Sequence, residues 1–254
     1  MRGHPLSAES DHALSGPWFV PMTEAAAPVR VLGFPHAGAG CAAFAGCVEE
    51  LPPGVGLWAL NLPGRQARFS EPSITDLDLL VDAVVRDLPA HPYVLLGYCS
   101  GALLAFLVAR AAADRGLLQP RALIVASYPA PHLARPAQDL HELPSADFWE
   151  RIQALGGFPP VLARQPDFRA VFEPALRADY AAMAAFRYRS GPPLSVPIVA
   201  VAGERDDSLP EAHLHGWAEQ TSAGFRLELV DGDHWLLEGG GAELMRVAAG
   251  ECGP

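Results

Sequence analysis

The apolar positions of this chain follow two rhythms. Short runs recur at Val29 to Phe34, Leu57 to Asn61, Tyr93 to Leu96, Ala122 to Ala126, Ile198 to Ala202 and Phe225 to Val230. Most are apolar on both faces, the signature of strands covered by helices on each side, so a mostly parallel central sheet is expected. Between them, Thr75 to Leu88 carries Leu77, Leu80, Val81, Val84, Val85 and Leu88 at helical spacing and stops at Pro89. Ser100 to Arg115, closed by Gly116, and Glu211 to Thr221 read as further helices. The pattern is that of an α/β layered domain.

The rhythm breaks from about Pro129 to Pro193, where two helical patterns, Ala146 to Leu155 and Phe168 to Arg187, replace the strands. Ser145 is placed to cap the first and Gly156-Gly157 to end it. An insertion at 129–193, rich in Pro and aromatics and lying between two sheet strands, reads as a helical lid over one end of the sheet. Residues 1–254 read as a single domain without internal repeats.

Composition narrows the field. Half the residues are apolar, enough for a large core, and 29 acidic against 18 basic residues give a formal charge of -11. Every basic residue is Arg, and the acidic balance disfavours a nucleic-acid partner. Met1 to Ser15 lacks the basic start and apolar run of a secretory signal, and no apolar stretch reaches the roughly 18 residues of a membrane span. A soluble, cytoplasmic protein with no membrane partner is expected. Cysteines at 41, 47, 99 and 252 match neither a disulfide framework nor a zinc site, so reduced thiols are expected, with Cys41 and Cys47 as packing residues.

Cys99 has a distinctive setting. Tyr93-Val94-Leu95-Leu96-Gly97-Tyr98-Cys99-Ser100-Gly101-Ala102 is an apolar strand, a turn with glycines two before and two after Cys99, and a helix start. This is a nucleophile elbow with Cys where Ser usually stands. The central residue of such a turn is strained, and a side chain at either flank would strike the neighbouring strand or helix. Helix N-termini and histidine partners also favour thiolate, the nucleophilic form of cysteine.

Two later loops supply partners. Gly203-Glu204-Arg205-Asp206-Asp207 follows one strand and Asp231-Gly232-Asp233-His234-Trp235 follows the next, giving the chain order nucleophile, acid, histidine. His234 is expected to take the thiol proton and Asp206 to orient and stabilise the imidazole. Asp207 is expected to point elsewhere, and Asp231 and Asp233 to shape the turn. Backbone amides of Ser100 and Ala37, the latter in Phe34-Pro35-His36-Ala37-Gly38-Ala39-Gly40, are the expected oxyanion donors. Ser100 is off-centre between the elbow glycines and is a poor nucleophile candidate. His213 and His215 are two apart on a predicted helix, which argues against a shared metal, and no metal site is expected.

At this point the chain resembles the type II thioesterases that accompany polyketide synthases and nonribosomal peptide synthetases. The resemblance rests on F-P-H-A-G at 34–38, L-P-G-R at 62–65, G-Y-C-S-G-A-L-L-A-F at 97–106, A-P-H-L at 130–133 and G-D-H-W at 232–235. L-G-G-F-P-P at 155–160 and L-R-A-D-Y at 176–180 add to it. It implies an α/β-hydrolase fold with a helical lid, acting on acyl groups tethered by phosphopantetheine to an acyl or peptidyl carrier protein. The protein itself would need no cofactor. By position it makes Cys99, Asp206 and His234 the triad and Ala37 and Ser100 the oxyanion donors.

The family usually reads G-H-S-M-G at the elbow, so Tyr98, Cys99 and Ser100 are departures. A serine would hold the acyl group as an ester, whereas a cysteine keeps it as a thioester of nearly equal energy. Acyl transfer or cyclisation onto an amine, hydroxyl or second thiol therefore competes with hydrolysis, and a catalytically silent carrier-binding protein is a third reading. The acyl chain is expected to meet His36, Tyr98, Phe148, Trp149, Phe158, Tyr180 and Trp235. Arg65, Arg68, Arg135 and Arg164 could contribute to docking, with a solvated surface position the commoner role for each. A monomer is the default expectation for this architecture.

Overall fold

A computed structural model describes residues 18–23, 27–155, 165–237 and 241–253. Seven strands form one sheet: β1 (Phe19–Pro21), β2 (Val29–Phe34), β3 (Val55–Leu60), β4 (Tyr93–Tyr98), β5 (Leu123–Ala126), β6 (Ile198–Gly203) and β7 (Phe225–Val230). Their order is β1-β3-β2-β4-β5-β6-β7, and every pairing is parallel except β1 with β3. β2 and β7 have the bounds that the apolar pattern predicts. β4 runs two residues further than expected, straight into the Cys99 turn.

Alternation along the strands feeds two cores. Tyr93, Leu95, Leu123, Val125, Ile198 and Ala200 face α1 (Leu77–Val85) and α2 (Ser100–Asp114). Val94, Leu96, Ile124, Ala126, Val199 and Val201 face the opposite layer, which contains Phe44, Cys47, Leu244 and Met245. Burial of both faces is why these strands read as continuous apolar runs. Asp76 accepts hydrogen bonds from the Asp78 and Leu79 amides and caps α1.

One strand is added and two local expectations are corrected. β1 is three residues long and paired antiparallel, too short to leave a periodic signal. The helix expected over Glu211 to Thr221 is split into α5 (Glu211–His215) and a 3-10 turn at Gly216–Gln220. The break comes where Gly216 packs so tightly that a Cβ would lie 2.7 Å from Leu133 Cδ1. Ser145 does not cap α3 (Ser145–Ala154): it is the first helical residue, and its hydroxyl donates to Glu173 instead. The Gly156-Gly157 stop lies outside the described residues.

Among its described residues, 129–193 contains no strand and carries α3 and α4 (Pro166–Ala185). This segment builds a third core from Leu140, Phe148, Trp149, Ile152, Leu176 and Met183. Ala37, from the loop after β2, is buried in the same cluster. Glu173 of α4 accepts from Ser145 Oγ, Trp149 Nε1 and Arg177 Nε. Burial favours its neutral form, but these donors prevail and hold its carboxyl below the usual range. The last helix, α6 (Ala242–Gly250), lies on the Phe44 side of the sheet.

Candidate active site

Cys99 sits at the tip of the turn between β4 and α2 with φ 52° and ψ -126°, a conformation L residues rarely adopt. Its N–H donates to Ala126 O at 2.8 Å, anchoring the turn to β5, and its carbonyl accepts from Ala102 N at 2.8 Å. The flanking glycines are required by sterics. A Cβ on Gly97 would lie 2.4 Å from Ala102 Cα, and one on Gly101 would lie 2.2 Å from Phe34 O.

The acid and histidine loops leave adjacent strands and pack backbone against backbone. Glu204 N donates to Val230 O and Arg205 N to Gly232 O, both at 2.9 Å, so the β6–β7 pairing continues beyond the strands. Gly203 permits this approach, since a Cβ there would lie 2.3 Å from Asp233 O. Asp233 Oδ1 accepts from Trp235 N at 2.8 Å and Asp231 pairs with Arg205, so both aspartates shape this region as expected. Asp207 is exposed.

His234 Nδ1 lies 2.8 Å from Asp206 Oδ2, and the Asp206 side chain is only 2 % exposed. Ser208 donates to the other Asp206 oxygen through both its amide and its hydroxyl. Burial pushes the Asp206 carboxyl up, but hydrogen bonds from His234 and Ser208 bring it below its ordinary value. Burial likewise pulls the His234 ring down, and hydrogen bonding and charge from Asp206 and Cys99 override it, pushing the imidazole up to about 10. The Tyr98 hydroxyl donates to the His234 carbonyl from beneath.

The loop after β2 forms the other wall. Ala39 N donates to His36 O at 3.1 Å, closing a turn in which Gly38 adopts φ 77°. The Ala37 and Ser100 amides carry no hydrogen bond to another described residue. His36 is partly buried, edge-on against Tyr98 and Trp235, with ring centroids 5.6 and 5.5 Å away. Burial first, then the neighbouring His234 charge, lowers this ring to about 4, so it is neutral at physiological pH. Its Nδ1 has no partner among the described residues.

Several expected substrate contacts lie elsewhere. Tyr98 is fully buried in the core under the His234 loop. Phe148 and Trp149 are fully buried in the core of the helical segment, with the Trp149 indole N–H donated to Glu173. Phe158 and Arg164 lie outside the described residues. Arg65 and Arg68 are not surface groups: they are 7 % and 4 % exposed. Arg65 grips Asp179 with two nitrogens, at 2.6 and 2.8 Å, and Arg68 does the same to Glu71 while lying over the Trp18 ring. Arg135 is exposed.

Sequence reasoning missed Asp179, Ser208 and Tyr128. Tyr128 sits two residues past the Ala126 carbonyl that anchors Cys99, and burial, with Cys99 next, pushes its phenol up. The same two influences lead for the Tyr180 phenol. A separate groove of about 560 Å³, lined by residues such as Leu77, Phe106, Arg110 and Tyr188, contains none of the expected site residues. No cluster of three or more metal-ligating side chains occurs among the described residues, and none of their helices is long and apolar enough to cross a membrane.

This arrangement of elbow, acid loop and histidine loop on a parallel sheet defines an α/β-hydrolase fold. Residues 30–247 match the family described as Thioesterase domain, and the chain belongs to that family. It is 32% identical over 246 residues to thioesterase PikA5 of Streptomyces venezuelae, covering 93% of this chain and 84% of that protein. Among solved structures, the RedJ thioesterase from the prodiginine pathway of Streptomyces coelicolor is 32% identical with a TM-score of 0.82, covering 91% and 95% of the two chains. The type II thioesterase BorB from the borrelidin biosynthetic cluster is 29% identical with a TM-score of 0.83, covering 93% and 98%.

Proposed function

We propose that this protein takes acyl groups from phosphopantetheinyl carrier-protein thioesters onto Cys99 and releases or transfers them in secondary-metabolite biosynthesis, acting as a cytoplasmic monomer. The observation that carries this reading is the strained Cys99 tip beside a His234 ring hydrogen-bonded to a buried Asp206. A positively charged His234 stabilises a Cys99 thiolate, which attacks the thioester carbonyl. The Ala37 and Ser100 amides receive the resulting oxyanion. Collapse of the intermediate expels the pantetheine thiolate, which takes the His234 proton, and leaves the acyl group on sulfur. A second nucleophile then attacks with the neutral His234 ring as its base.

A cysteine favours transfer over hydrolysis, because the acyl group keeps its thioester activation until an acceptor arrives. In this reading residues 129–193 act as a lid, and Tyr128, Tyr180, His36 and Trp235 surround the acyl group. Incubation with acyl-loaded carrier protein followed by intact-mass measurement tests it. The wild type should gain the acyl mass and Cys99→Ala should not. Free acid released rapidly without any acceptor would exclude the transferase form. Equal alkylation of all accessible thiols near neutral pH, with no acyl mass gained, would favour a silent binding protein.

A further inference from the structure

The amide of Ala37 belongs to a loop whose geometry depends on a helix more than a hundred residues away. Gly38 N, in the next peptide, donates to Asp179 Oδ2 of α4 at 2.7 Å. The same carboxylate takes both Arg65 terminal nitrogens, and Arg65 Nη1 also donates to Ala39 O at 3.0 Å. Side-chain exposures of 8 % for Arg65 and 18 % for Asp179 place the pair largely out of water, where charge-assisted bidentate bonds hold geometry well. Leu176, three residues earlier and so on the same helix face, covers the loop closely: a Cβ on Gly38 would lie 2.8 Å from its Cδ1. Ala37 itself is buried among Phe148, Ile152, Leu176 and Met183.

We propose that α4 completes the oxyanion side of the Cys99 site and that Asp179 is a positioning residue, fixing the Ala37 amide through the Gly38 peptide and the Arg65 guanidinium. The inference rests on the reading of Cys99 as acyl acceptor. An oxyanion donor works only when it is aimed at the developing charge before reaction, to within a few tenths of an ångström. The turn closed by Ala39 N and His36 O leaves the Gly38 N–H pointing at Asp179 and the Ala37 N–H unused. Without the Asp179 carboxylate, Gly38 loses its acceptor and Arg65 its counter-charge.

Two rates on the full-length protein separate this positioning role from a general structural one. The first is acyl transfer from a loaded carrier protein to Cys99, which needs the oxyanion donors. The second is alkylation of Cys99 by iodoacetamide, read on its own peptide, in which a C–S bond forms, iodide leaves and no carbonyl oxyanion develops. Asp179→Asn leaves Arg65 buried without its charge partner, so the pair variant Arg65→Met with Asp179→Leu, apolar on both sides, guards against misfolding. Both variants should acylate about 10- to 100-fold more slowly than wild type while alkylating within about twofold of it. Asp179→Glu should recover part of the acylation rate. Unchanged acylation in the folded pair variant, or equal loss of both rates, overturns the inference. A wild type that alkylates rapidly but never gains acyl mass overturns the Cys99 reading itself, and the positioning role with it.

Discussion

On one side of Cys99, the elbow and the loops bearing Asp206 and His234 are held by main chain packed on main chain at the ends of β4, β6 and β7. On the other, the loop bearing Ala37 is held by side chains arriving from α4 and by Arg65. The first side cannot move without breaking sheet contacts, whereas the second is tied by side chains to a helical segment with its own small core.

Three changes on the side of Cys99, Asp206 and His234 probe this contrast. The largest effect is expected from Gly101→Ala, whose Cβ would meet the Phe34 carbonyl. It should cost about 3 kcal/mol in denaturant unfolding, and a tolerated substitution would mean that the elbow is not locked by its backbone.

Asp206→Asn comes next. It should slow acylation and alkylation together, by about 100-fold, in contrast to the selective loss expected at Asp179. The pH profile carries a sign. His234 is raised above its ordinary 6.5 to about 10, so the ring keeps its proton through neutral pH and gives it up only as pH climbs towards that value. Steps that need the imidazolium should hold through neutrality and fail on the alkaline side, and Asp206→Asn should move that failure to lower pH. An alkaline limb indifferent to residue 206 would sever the acid from the histidine.

Tyr98→Phe should do least. It removes one hydrogen bond to the His234 carbonyl, worth about 1 kcal/mol, and should slow both rates about fivefold. A larger, acylation-only loss would place Tyr98 in contact with substrate after all.

The same contrast explains which parts could be read from the chain. Cys99, Asp206 and His234 stand on turns that follow apolar strands, and the glycines at 97, 101 and 203 mark places where backbones nearly touch. Such signals are local. Arg65 and Asp179 are 114 positions apart, and nothing near either residue points to the other, so Arg65 read as a surface cation. Phe148 and Trp149 looked like acyl contacts because aromatic residues in an inserted helix serve equally well as its core, and here they do. β1 escaped notice because three residues cannot display a period of two convincingly.

The inward placement of Arg65 and Arg68 reaches beyond the site. With no lysines in the chain, and with Arg65 and Arg68 each neutralised by an acidic partner, the whole formal charge of -11 is carried by the remaining groups. A carrier protein that is itself acidic, diffusing towards it, would climb an unfavourable potential that dissolved ions damp over about 8 Å at physiological ionic strength. Encounter should therefore quicken with added salt, the reverse of what electrostatically steered partners show.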